Sequence, residues 1–171
     1  KPITKPSTNP STNTVTKPST NLVTKPEPKV VIQAVEKPIK KPSHQAPSSN
    51  SKWIWPVQGQ ILSSFSNTDA TRKGINIRAK VGDPVYASNN GIVVYSGNGL
   101  LGYGELIIIK HSDSLLSAYA NNSSRNVNEG DTVKQGDVIA KSGKSTDGTP
   151  LLHFEIRKNG QPVNPLNYLP K

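Results

Sequence analysis

The chain has no cysteine and no methionine. Without cysteine there are no disulfides, no thiolate zinc sites and no thiol catalysis, although the cellular compartment stays open. No run of about 18 apolar residues occurs, so no membrane-spanning helix is expected. Aromatic residues make up only 5% of the chain. None of them falls in residues 1–52, which hold nine of the 15 prolines, nine lysines and two glutamates. Such a segment cannot bury enough apolar surface to offset the entropy of ordering its backbone. Residues 1–52 therefore read as a disordered, basic, Pro/Thr/Lys-rich linker. Residues 53–171 carry all the rings and the Val, Ile and Leu runs, enough for one domain with one core.

The formal net charge is +10, and most of it belongs to the linker. A flexible basic segment suits either simple solubility or association with an anionic surface such as a wall polymer or phospholipid. Nucleic acid is disfavoured, because the basic segment has no ring to stack on bases. The linker repeats itself: Thr4-Lys5-Pro6-Ser7-Thr8-Asn9 returns as Thr16-Lys17-Pro18-Ser19-Thr20-Asn21. Pro-spaced repeats of this kind act as semi-rigid spacers. Residues 29–36 (KVVIQAVE) are its one apolar stretch, read as a less polar piece of linker. The chain starts at Lys1 and shows no signal peptide, so it is expected to be a mature or trimmed piece.

From Trp53 onward the pattern is one of short strands. Ile61, Ser63 and Phe65 alternate with polar neighbours. Residues 84–87 and 91–96 flank Asn89-Asn90-Gly91, a hairpin turn signal. Residues 105–110 (ELIIIK) form a continuous apolar run, as in a strand buried on both faces. Residues 115–120 follow the polar turn Ser112-Asp113-Ser114. Residues 127–140 read as two short strands around Gly-Asp turns. No segment has a sustained helical period, so the expected class is all-β, an antiparallel sandwich or barrel-like sheet.

The last strand, Leu152-His-Phe-Glu-Ile-Arg157, carries the chemical hint. Side chains alternate faces along a strand. Leu152, Phe154 and Ile156 are expected to point to the core, and Leu151, His153 and Glu155 away from it. A lone histidine is more often a structural hydrogen-bonding residue than a ligand. His44 lies in the linker, and His111 has no ligand partner by spacing.

The blocks Trp55-Pro56-Val57, Lys73-Gly74-Ile75-Asn76-Ile77, Gly102-Tyr103-Gly104, Tyr119-Ala120, Val133-Lys-Gln-Gly136, Leu152-His-Phe-Glu-Ile-Arg157 and Asn164-Pro165-Leu166-Asn167-Tyr168 resemble the LytM family. The resemblance covers residues 53–171. Its members are zinc endopeptidases that cut peptidoglycan cross-bridges, and the resemblance extends to the divisome-associated NlpD and EnvC type. Active members carry a His-x-x-x-Asp pair, a His after Tyr-x, and a His-x-His strand. On this sequence those positions are Arg72 and Asn76, then Asn121, then Leu151 and His153. The resemblance thus implies a degenerate site with zinc absent and no catalytic residue. Arg72, Asn76, Tyr103, Tyr119, Asn121, Leu151 and His153 mark the emptied positions and an expected partner-binding groove.

By the same resemblance the function is non-catalytic activation of peptidoglycan amidases in wall remodelling and daughter-cell separation. The partner is an N-acetylmuramoyl-L-alanine amidase, with peptidoglycan as a further candidate. The location is the periplasm of a Gram-negative bacterium, with an upstream lipidated segment as a route to the outer membrane. A peptidoglycan-binding module and a residual zinc endopeptidase are the alternatives. The stretch from Glu129 to Ala140 also resembles biotinyl or lipoyl carrier sheets. It lacks their Met-Lys-Met-like tip, since the chain has no Met.

Overall fold

The computed structural model describes residues 52–171. The linker repeats, the apolar stretch 29–36 and His44 lie outside the described residues. Ten strands follow one another: β1 (Ile61–Ser63), β2 (Ile75–Arg78), β3 (Pro84–Tyr86), β4 (Gly91–Gly97), β5 (Glu105–Lys110), β6 (Leu115–Arg125), β7 (Thr132–Val133), β8 (Val138–Lys144), β9 (Pro150–Lys158) and β10 (Gln161–Val163). A short 3-10 helix, Pro165–Asn167, closes the chain. The expected all-β class is the observed one. Every pairing is antiparallel, and the sheet runs β1-β2-β9-β8-β6-β5-β4-β7, with β10 on β9 and β3 on β8. No helix among the described residues is long and apolar enough to cross a membrane.

Two long strands hold the sheet together. Residues 115–120 of β6 pair with β9, whereas residues 122–125 pair with β8. The change of partner falls at Asn121, whose φ of 60° is left-handed. Asparagine tolerates that region better than most side chains. Gly143 makes the crossing possible, because a Cβ there would lie 2.7 Å from the Asn121 carbonyl oxygen. Sequence reading ended this strand near Ala120. Its second half is polar (Asn122, Ser123, Ser124, Arg125) and gives no apolar alternation to detect.

The turn Asn89-Asn90-Gly91 does not make the expected hairpin. β3 pairs with β8, and β4 pairs with β5 and β7. Tertiary partners claim the turn instead. Asn90 Oδ1 accepts from the Gln135 N–H (2.8 Å), and the Asn90 carbonyl accepts from His111 Nδ1 (2.7 Å).

The core forms on one side of these strands. Ile75, Ile77, Ile107, Ile109, Tyr119, Leu152, Phe154 and Ile156 are fully buried there. A smaller cluster of Leu106, Ala118 and Ala120 gathers Tyr95, Tyr103 and Ile108 around it. Leu106 in this cluster and Ile107 in the main core sit next to each other on β5, so this strand has apolar neighbours on both faces.

Candidate functional site

The register of three strands builds the site. On β9, His153 pairs with Asn76 of β2 on one side and with Ala120 of β6 on the other. Alternation sends Leu152, Phe154 and Ile156 into the core and turns His153 and Arg157 to the opposite face, as their burial confirms. Gly74 lets β2 start close against β9, since a Cβ there would lie 2.2 Å from the Phe154 carbonyl oxygen.

A groove of about 280 Å³ opens over this junction. Asn76, Tyr103, Asn121 and His153 line it, together with Lys73, Leu101 and Glu155. His153 is bracketed, with Nδ1 2.6 Å from Asn76 Oδ1 and Nε2 3.1 Å from Glu155 Oε1. Glu155 is fully buried. Its carboxylate also accepts from Arg157 Nε (2.8 Å) and from the Tyr103 hydroxyl (3.0 Å). Burial pushes this carboxyl up. The hydrogen bonds from His153 and Arg157, with the Arg157 charge, outweigh that and hold it below the usual carboxylate range. Burial and the neighbouring Glu155 charge push the Tyr103 phenol the other way, upward. The Asn121 N–H donates to the Tyr103 carbonyl (2.9 Å), which ties the loop of residues 98–104 to the floor.

Three expected groove residues are placed elsewhere. Tyr119 alternates with Ala118 and Ala120, so its ring enters the core and stacks near Phe154 at 5.2 Å. Its hydroxyl oxygen accepts from the buried Ser88 N–H (2.8 Å). Leu151 is 5% exposed, opposite Arg78 and Gly143, and is not on the groove wall. Arg72 turns back on its own loop, where Nε lies 2.9 Å from Asp69 Oδ2, and its side chain is about half exposed. Conversely, sequence reading set Glu155 on the face of His153 but named neither it nor Lys73 nor Arg157 as a site residue. For Glu155 and Arg157 the signal was present: residues 153, 155 and 157 share one face by period-two alternation.

Among the described residues, no cluster of three or more His, Cys, Asp or Glu side chains could hold a metal ion. The nearest candidates, His153 and Glu155, are satisfied by each other, by Asn76 and by Arg157.

Residues 70–165 match the model of peptidase family M23, and the chain belongs to that family. Solved relatives agree. The chain is similar to Helicobacter pylori Csd3 (34% identity, TM-score 0.62, 70% of this chain and 33% of that one). It is also similar to a zinc-containing peptidase from Vibrio cholerae (27% identity, TM-score 0.60, 67% and 39%).

Within the family the likeness narrows to a particular group. The chain is 47% identical over 121 residues to the murein hydrolase activator NlpD of Escherichia coli K12, covering 71% of this chain and 32% of that protein. It is 47% identical over 119 residues to the lipoprotein NlpD/LppB homolog of Pseudomonas aeruginosa (70% and 40%). To the outer membrane antigenic lipoprotein B of Haemophilus influenzae it is 50% identical over 124 residues (72% and 31%). The chain thus spans between about a third and two fifths of the length of these curated relatives.

Proposed function

We propose that this chain is a non-catalytic activator of a peptidoglycan amidase, and that its groove is the surface the amidase docks on. The observation that carries the reading is His153, the single histidine of the groove, with both ring nitrogens already engaged. A catalytic zinc needs about three protein ligands and an open position for water. Asn76 offers a neutral amide oxygen, a poor zinc ligand beside a carboxylate. Leu151 offers no donor atom. Arg72 offers a fixed cation. Asn121 has no basic nitrogen to take a proton from water near neutral pH. The residues expected at the family's zinc positions do not fit the metal.

What remains is binding. A groove with a hydrogen-bonding floor and an aromatic wall suits a peptide segment. To activate, the domain need only bind the open form of an amidase more tightly than the closed one. The names of the relatives, murein hydrolase activator and lipoprotein, support activation of a murein hydrolase and a cell-envelope location, and an N-acetylmuramoyl-L-alanine amidase is the hydrolase proposed as partner.

The test mixes the full chain with an amidase of its own organism and dye-labelled peptidoglycan. The chain alone should release no dye, and the mixture should release more than the amidase alone. No increase in the mixture overturns the reading. Stoichiometric zinc in the purified chain, with dye release by the chain alone, favours a residual endopeptidase instead.

A further inference from the structure

The loop of residues 98–104 is a ridge with a different space on each side. Leu101 faces the polar groove, and Leu100 faces a second hollow of about 150 Å³. Tyr103 and Glu155 line both. The second hollow is otherwise lined by Leu106, Ile108, Ala118 and the Arg157 side chain. Leu106 and Ala118 are buried at its base, Leu100 on its wall is 45% exposed, and Leu101, on the groove side of the loop, is 99% exposed. A partner that covers Leu100 and Leu101 takes their apolar surface out of water.

Charge says what kind of partner. Glu155 is the acid shared by both spaces, and it is fully buried and matched by Arg157. Lys73 stands on the groove wall, exposed, and makes no ion pair among the described residues. An uncompensated cation therefore sits across the ridge from an apolar hole. A complementary segment presents an aliphatic side chain to the hole and a carboxylate to Lys73.

We propose that the hollow behind Tyr103 is an anchoring subsite that receives one aliphatic side chain of the amidase, from a segment that also places an acidic group at Lys73. The inference rests on the amidase reading and adds where the partner is gripped and by what chemistry. The ridge makes the grip two-sided: Leu101 and Tyr103 are covered from the groove, and Leu100 from the hollow. A side chain that fills a well-packed, desolvated pocket can carry a large share of an interface's affinity, and Tyr103 and Arg157, residue types common at such points, line this one.

The affinity of the full chain for the amidase is measured by calorimetric titration for the wild type and three variants, each checked by thermal melting. Ala118→Leu fills the hollow, and Leu100→Ala trims its half-exposed outer wall. Each is expected to weaken binding about tenfold or more, the equivalent of losing one buried aliphatic contact. Lys73→Glu is expected to weaken binding and to flatten its salt dependence. Wild-type binding with Leu100→Ala and a folded Ala118→Leu binding equally well overturns the subsite and leaves amidase docking standing. No binding by the wild type overturns both.

Discussion

The two faces of β2 and β9 are made from the same strands, yet they do different work. Ile75, Ile77, Leu152, Phe154 and Ile156 face inward and are wholly buried. Asn76, His153, Glu155 and Arg157, the intervening residues, face outward and bond to one another. Fold and chemistry are therefore written on alternate residues. The outer positions can change their chemistry while the inner ones keep the family's architecture.

The largest effect that should separate the faces comes from the inner one. Phe154→Ala removes a fully buried ring that packs near Tyr119. The expected cost is about 3–5 kcal/mol, a large share of the 5–15 kcal/mol typical of a whole domain. Urea denaturation measures it. A loss under about 1 kcal/mol would mean that the core is not where the fold's stability lies.

The inner side also holds a polar exception, and acid should expose it. His111 is 4% exposed, donates from Nδ1 to the Asn90 carbonyl and meets the Ser117 hydroxyl at 2.7 Å. Trp53 packs edge-on against its ring at 4.7 Å. Burial lowers its pKa from 6.5 to about 4, against an opposing pull from the Asn90 hydrogen bond. Below pH 6.5 the unfolded chain takes up the proton and the folded chain does not, so stability falls with pH until both are protonated near pH 4. The loss across that window is on the order of 3 kcal/mol. His111→Gln should flatten the profile over the same range. Equal pH dependence in the variant would show that another group titrates.

A smaller loss is expected on the outer face. Glu155→Ala takes away the carboxylate that His153, Arg157 and Tyr103 share. Arg157 is about a third exposed and can recover water, so the cost is about 2 kcal/mol, below that of Phe154→Ala. Chemical denaturation of both variants ranks them. Dye release with the amidase should fall more for Glu155→Ala than its stability alone accounts for, because the groove floor loses its tie to Tyr103. If the ranking reverses, the outer network is structural first.

How much of this could be read from sequence depends on how local the signal is. The run Leu152-His-Phe-Glu-Ile-Arg157 announces its two faces, because period-two alternation is a property of the strand itself. ELIIIK likewise declares a strand with apolar neighbours on both sides. Asn89-Asn90-Gly91 misleads, because a turn signal does not say which strands will pair, and Gln135 and His111 decide that from far along the chain. Tyr119 was legible in principle, since Ala118 and Ala120 flank it on the other face. Arg72 was not. A family position locates a backbone, and a long side chain then swings to whatever charge is near, here Asp69.

That last case gives the smallest and sharpest separation. Arg72, expected from the sequence at a family zinc position, is held by Asp69, with its side chain about half exposed. Lys73, the next residue, lines the groove. Arg72→Ala and Lys73→Ala remove exposed side chains, and both should leave stability within about 0.5 kcal/mol of wild type. Amidase-dependent dye release should split them. Lys73→Ala should lower it severalfold at low salt and less at high salt, as expected for a screened surface charge. Arg72→Ala should leave it nearly unchanged. The opposite split would mean that the Asp69 pair opens on docking and that Arg72 turns into the groove, so that inheritance of the zinc position, and not the resting geometry, chooses the contact.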